Sequence, residues 1–197
     1  MAIFYLIGHG GSGKSLYAKS VGEYKNTEAN IVYYDEDDKV AEAAGYSNFT
    51  ELLKNESSIQ PYYTQYIEQL NVEAQNNKET SFVVSTGGYS ILIDESLYAD
   101  GHKIYIRSSL KDILKSVAER KKRGINFSLI KGFDAVPKSL KFIDFELEEF
   151  KDYYHKADLF YADKMDLLIQ NRHEDENLFD INVERILQYI ISYAEEK

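Results

Sequence analysis

The chain has 197 residues, enough for one domain with a buried core, and 44% hydrophobic with 28% charged residues mark a globular protein rather than a disordered one. A formal net charge of −10 argues against a general binder of nucleic acid or anionic membranes, although an acidic protein still holds a polyanion where its positive groups gather in one cleft. There is no cysteine, hence no disulfide or thiolate metal site, and the absence of a basic leader and of a long apolar run makes the cytoplasm the expected location, with no membrane or nucleic-acid partner.

Taken in chain order, strands are predicted over Ile3–Ile7, Ile31–Tyr34, Phe82–Ser85, Lys103–Ile106 and Leu167–Ile169. Helices are predicted over Lys14–Tyr24, Lys39–Leu53, Gln60–Asn76, Leu110–Lys122, Leu140–Tyr154 and Val183–Ala194. No linker, repeat or low-complexity tract interrupts them, so 1–197 reads as a single domain. Alternation of this kind predicts an α/β fold, a three-layer α/β/α sandwich around a five-stranded parallel sheet.

The first predicted strand runs into "GHGGSGKS", residues 8 to 15, and a helix follows. Gly8, Gly13, Lys14 and Ser15 match G-x-x-x-x-G-K-[ST], the spacing of a P-loop (Walker A motif) in its proper strand–loop–helix setting. Glycines let successive backbone N–H groups turn inward around a phosphate, and the helix start adds its positive end. Nucleotide binding is therefore expected at Gly8, Gly10, Gly11, Ser12, Gly13, Lys14, Ser15 and Leu16, with Lys14 reaching the β/γ-phosphates of ATP and the Ser15 hydroxyl ligating Mg²⁺.

The second predicted strand leads into "YYDEDDK". In an extended strand end Asp35 and Asp37 project to one side, where one holds the magnesium shell and the other takes a proton from an acceptor hydroxyl; the alternative is an acidic start to the next helix. The third strand ends in "VVSTGGYS", where Gly87 and Gly88 either let backbone approach a ligand or simply turn the chain. In "AERKKRGINFS", Arg120 and Arg123 either descend on a γ-phosphate with a mobile lid or complement a helix C-terminus. The four histidines show no metal-binding spacing, and His9 lies inside the glycine loop.

Together these motifs resemble the shikimate kinases, within the wider group of small P-loop metabolite and nucleoside-monophosphate kinases. "FYLIGHGGSGKSLYAKSVGE" looks like that family's first strand, loop and helix, "YYDEDDKV" like its D-x-D segment followed by the similar "AAGYSNFTELLKNE", "STGGYSI" like its glycine-rich segment, and "YHKADLFY" like the start of its C-terminal part. The resemblance implies an ATP- and Mg²⁺-dependent transferase. In it Ser15 and Asp35 serve the metal, Asp37 holds the acceptor and acts as base, Gly87 and Gly88 contact the acceptor, and Arg120 lies near adenine. It also implies an acceptor-binding segment over 38–76, a lid over 120–138, and a monomer or weak homodimer. The chain departs from the family where shikimate's carboxylate is bound. "QPYYTQYIEQL" holds no basic residue, an R-x-x-x-Y arginine falls on Phe150, and the lid's R-P-L-L is missing, leaving Arg123 as its substitute. Tyr63 and Phe150 then become either candidate acceptor contacts or core packing, the commoner outcome for tyrosines at helical spacing, and the acceptor stays open between shikimate and another small hydroxylated metabolite. The rivals are a nucleoside or nucleotide kinase and a nucleotide-binding module without catalysis.

Overall fold

A computed structural model describes residues 2–25, 29–87, 90–122, 128–129, 141–142, 147–172 and 175–195. Its organising element is β1 (Ala2–Ile7), six residues all buried. An unbroken apolar strand of this kind suits the middle of a parallel sheet covered on both faces. Successive side chains point to opposite faces. Phe4 and Leu6 pack with Tyr17, Ala18 and Val21 of α1 (Lys14–Gly22) and with Val183, Ile186 and Ile190 of α8 (Glu176–Glu195). Ile3, Tyr5 and Ile7 face the other way, into a core shared with Val40, Leu52, Ile67, Leu70 and Tyr161.

The sheet has five parallel strands in the order β2-β3-β1-β4-β7: β2 (Asn30–Asp35), β3 (Thr80–Ser85), β4 (His102–Ser108) and β7 (Leu167–Asn171) join β1. The second helical layer is supplied by α2 (Glu36–Ala43), α3 (Phe49–Asn55), α4 (Gln60–Asn76) and α7 (Leu147–Lys164). All five predicted strands are present, as is the predicted α/β/α layering. The helix α6 (Leu110–Lys122) follows β4, and a two-residue antiparallel ladder joins β5 (Ser128–Leu129) to β6 (Lys141–Phe142). Among the described residues no helix is long and apolar enough to cross a membrane.

Three helix expectations are corrected. The stretch predicted as one helix over Lys39–Leu53 is two, because Asn48 caps a fresh start, its side chain accepting from the Glu51 amide at 2.9 Å. The helix predicted from Leu140 begins at Leu147 and runs to Lys164, since residues 141 and 142 are already paired in the small ladder. The last helix starts seven residues before Val183, where the Asp175 carboxylate caps the Leu178 amide at 3.0 Å. Four short elements were not foreseen: β5, β6, α5 (Ser90–Ile93) and a 3-10 turn over Glu95–Tyr98, the last capped by Asp94.

Candidate active site

Parallel strands send their carboxyl ends to one edge, the usual place for a ligand in an open α/β sheet. Here that edge collects the glycine loop after β1, the acids after β2, Gly87 after β3, Ser108 at the end of β4 and Asn171 at the end of β7.

The glycine loop takes a shape that ordinary residues resist. Gly8, Gly11 and Gly13 have φ of 141°, 85° and 95°, and a Cβ on Gly8 would lie 2.6 Å from the Ile106 carbonyl oxygen. Gly13 is also the N-cap of α1, with no side-chain cap and no acidic residue in the first turn, so the helix start keeps its positive end and its amide donors for an anion. Lys14 is buried within the loop, its Nζ donating to the Gly8 carbonyl at 2.8 Å and the His9 carbonyl at 2.9 Å. Asn171 buttresses the outside of the loop. Its Nδ2 donates to the Ser12 carbonyl at 2.8 Å while its Oδ1 accepts from the Tyr17 hydroxyl at 2.9 Å.

The acids stand across the edge. Asp35 ends β2 and caps α2, its carboxylate accepting from the Asp37 amide at 3.2 Å. Asp37 therefore sits on the first turn of a helix and not on an extended strand end, which corrects the strand-based expectation: the Asp35 cap turns the chain one residue earlier. A connection between loop and acids runs through Ser85, which pairs with Asp35 in the sheet and whose hydroxyl lies 3.0 Å from that of Ser15. Ser15 and Asp35, the two predicted metal ligands, are thus joined through one serine, and hard oxygen donors of this kind suit Mg²⁺. Among the described residues no three His, Asp or Glu side chains form a cluster able to hold a metal by themselves. The donor set fits an ion that takes most of its ligands from phosphate and water.

Asp37 is half-buried and borders Gly87 and Tyr63. A Cβ on Gly87 would fall 2.6 Å from Asp37 Oδ1, and the Tyr63 hydroxyl donates to that oxygen at 3.4 Å. Burial, reinforced by the neighbouring Asp35, pushes the Asp37 carboxyl up to about 7. Beside it Glu36, which the sequence reading passed over, is fully buried and accepts from the Gly87 amide at 2.7 Å and the Tyr98 hydroxyl at 2.6 Å. Its carboxyl too is pushed up to about 7 by burial, against the pull of those hydrogen bonds.

On the far side of the loop, a cleft of about 1040 Å³ opens between the ends of β4 and β7, bordered by Arg107, Lys111, Tyr154, Asn171 and Arg172. Arg107 is held there by a bidentate pair with Asp158, at 3.0 and 2.7 Å.

No family model matches the chain, and no curated protein matches it in sequence. Among solved structures it is similar to the shikimate kinase of Acinetobacter baumannii in complex with shikimate, at 16% identity over 98% of this chain and 94% of that one, with a TM-score of 0.63. It is also similar to the shikimate kinases of Bacteroides thetaiotaomicron (16% identity, 95% and 97% covered, TM-score 0.60) and Aquifex aeolicus (18%, 99% and 99%, TM-score 0.59). The chain has the shikimate kinase fold.

On that fold the structure brings together Gly8 to Ser15, Asp35, Asp37, Gly87 and Tyr63 at one edge. Leu16 opens α1 with its side chain exposed. Phe150 is 1% exposed and packed with Ile113 of α6 and with Tyr154. Arg120 lies near the end of α6. Gly88, Arg123 and most of 120–138 lie outside the described residues. Ser85, Glu36, Asn171 and Arg107 went unread because each acts through a contact with a distant element and none belongs to a spaced motif. The sequence did carry one signal for Glu36: a glutamate between two aspartates at a strand end needs a partner if the strand end is buried.

Proposed function

We propose that the protein is an ATP-dependent kinase that transfers a phosphoryl group to a hydroxyl of a small metabolite. The observation that supports this best is the pairing of an acid-free, glycine-capped helix start carrying Lys14 with Asp37, set beside Gly87 and Tyr63, across the same sheet edge. In this reading the loop amides and Lys14 hold the β- and γ-phosphates, and Lys14 exchanges its carbonyl partners for phosphate oxygens. Ser15 and Asp35 hold Mg²⁺, which when bound neutralises charge on the phosphates and orients them. The cleft beside Arg107 and Asn171 receives the nucleoside. Asp37 orients the acceptor hydroxyl and takes its proton, for which a pKa near the working pH is well matched. Gly87 and Tyr63 form the wall beside that hydroxyl, within an acceptor-binding segment over 38–76, and Arg120 and Arg123 serve a lid over 120–138.

The acceptor wall holds carboxylates and tyrosine hydroxyls among the described residues, with Lys14 committed to phosphate, which favours a neutral alcohol over an acid. The test is an ADP-release assay with Mg-ATP against shikimate and a panel of polyols and cyclitols. Turnover of a neutral alcohol exceeding that of shikimate is expected. Efficient turnover of shikimate would refute the acceptor reading, and no nucleotide binding at all would refute the kinase.

A further inference from the structure

The glycine loop contains a residue that phosphate binding does not call for. His9 is 2% exposed, and its ring is turned away from solvent and laid on Tyr154 of α7, centroids 4.4 Å apart and planes 15° from parallel. Tyr161, two turns further along α7, meets the same ring edge-on at 5.5 Å. Its Nε2 has no hydrogen-bonding partner among the described residues. Burial and the nearby Lys14 push its pKa down to about 3, so the ring is neutral. What the ring supplies is therefore a flat apolar surface.

That surface lies at a junction. The His9 carbonyl is one of the two that hold Lys14. Tyr154 donates its hydroxyl to the Ser108 carbonyl at 2.7 Å, and the Ser108 hydroxyl reaches the Ser12 carbonyl at 3.3 Å, which closes a ring of contacts back onto the loop. One turn further along α7, Asp158 fixes Arg107 in the cleft. A single helix thus grips both the phosphate half and the nucleoside half of the candidate site.

We propose that His9 is a positioning residue for nucleotide binding: its stack on Tyr154 pins the glycine loop to α7 and keeps the loop backbone in its phosphate-binding shape. The inference rests on the nucleotide reading above and goes beyond it, since it assigns a role to a loop side chain that touches no phosphate. A preorganised loop binds with less ordering cost than a loose one.

The experiment measures affinity calorimetrically for a non-hydrolysable ATP analogue with magnesium, and for magnesium tripolyphosphate, in the wild type, His9→Ala and His9→Phe. Measurements are made where circular dichroism shows each protein folded. Loss of one aromatic stack is expected to weaken both ligands about five- to tenfold in His9→Ala. His9→Phe, which keeps a flat ring and forgoes the unpartnered Nε2, is expected to bind within about twofold of the wild type. Such a rescue assigns the effect to the flat ring and not to the imidazole nitrogens. Tyr154→Leu removes the stack from the other side and is expected to reproduce the His9→Ala loss, which covers the case of an unfolded His9→Ala. Wild-type affinity in a folded His9→Ala overturns the proposal, as does a His9→Phe as weak as His9→Ala. Loss of the analogue with tripolyphosphate binding intact also overturns it, because the defect would then lie in the cleft and not in the loop. A wild type that binds neither ligand is a different result: it removes the nucleotide reading itself, and this inference with it.

Discussion

Two helices begin at the same sheet edge and are built in opposite ways. The start of α1 has a glycine cap, no capping side chain and no acid in its first turn. The start of α2 is capped by Asp35 and carries Glu36, Asp37 and Asp38 in its first turn. Both have the same positive dipole end, but α1 offers it outward while α2 meets it with its own carboxylates. One edge therefore holds a place for an anion beside a place hostile to one. That juxtaposition suits a reaction in which a charged phosphoryl donor and an uncharged alcohol must be told apart.

The contrast is broken most severely at Asp37. Asp37→Asn is expected to lower turnover of an accepted alcohol about 10²–10⁴-fold, the range for loss of a general base, while calorimetry finds nucleotide affinity within about threefold. At the other helix, Lys14→Met is expected to weaken binding of the ATP analogue about 10- to 100-fold, the value of a charge-assisted hydrogen bond, and to lower thermal stability as well, because the Gly8 and His9 carbonyls lose their buried donor. A variant that reversed these two assignments would refute the division of labour. Gly87→Ala sharpens the comparison from the acceptor side. The added methyl meets Asp37 Oδ1 at 2.6 Å, so a loss of about 1–3 kcal/mol in denaturant unfolding is expected, with nucleotide affinity unchanged.

A further effect is one of pH. Glu36 and Asp37 are raised to about 7 in the fold, above their values of 4.5 and 3.8 when exposed. The folded chain thus keeps protons that the unfolded chain releases near pH 4, so their contribution to stability is present below about pH 4 and is lost as pH rises to about 7. The thermal midpoint is expected to fall across that interval, and Asp37→Asn is expected to flatten the slope. Turnover runs the other way, rising towards pH 7 as Asp37 ionises.

How much of this was legible in the sequence follows the same division. Phosphate recognition relies on backbone amides, and the backbone shape is set by glycines at fixed spacing, so Gly8, Gly13, Lys14 and Ser15 could be read directly. The strands were legible because β1 is an unbroken apolar run and β3 is built around Phe82, Val83 and Val84. The side chains proposed for the acceptor side, by contrast, meet from separate elements. The Ser85 bridge spans 70 residues to Ser15, and the Glu36 bond to Tyr98 spans 62, distances over which no local pattern carries information. Phe150 is buried between α6 and α7, the core packing that the sequence left open beside an acceptor contact.

The strand that carries the glycine loop precedes both of its partners by a long stretch of chain. Its neighbours are β3, with Ala2 beside Ser81, and β4, with Phe4 beside His102, so roughly 80 residues must follow β1 before it has any partner. Until then six consecutive residues that the fold buries stand bare. Such long-range parallel pairing makes folding slow and exposes the nascent chain to self-association, so recovery of this protein from refolding should depend steeply on dilution.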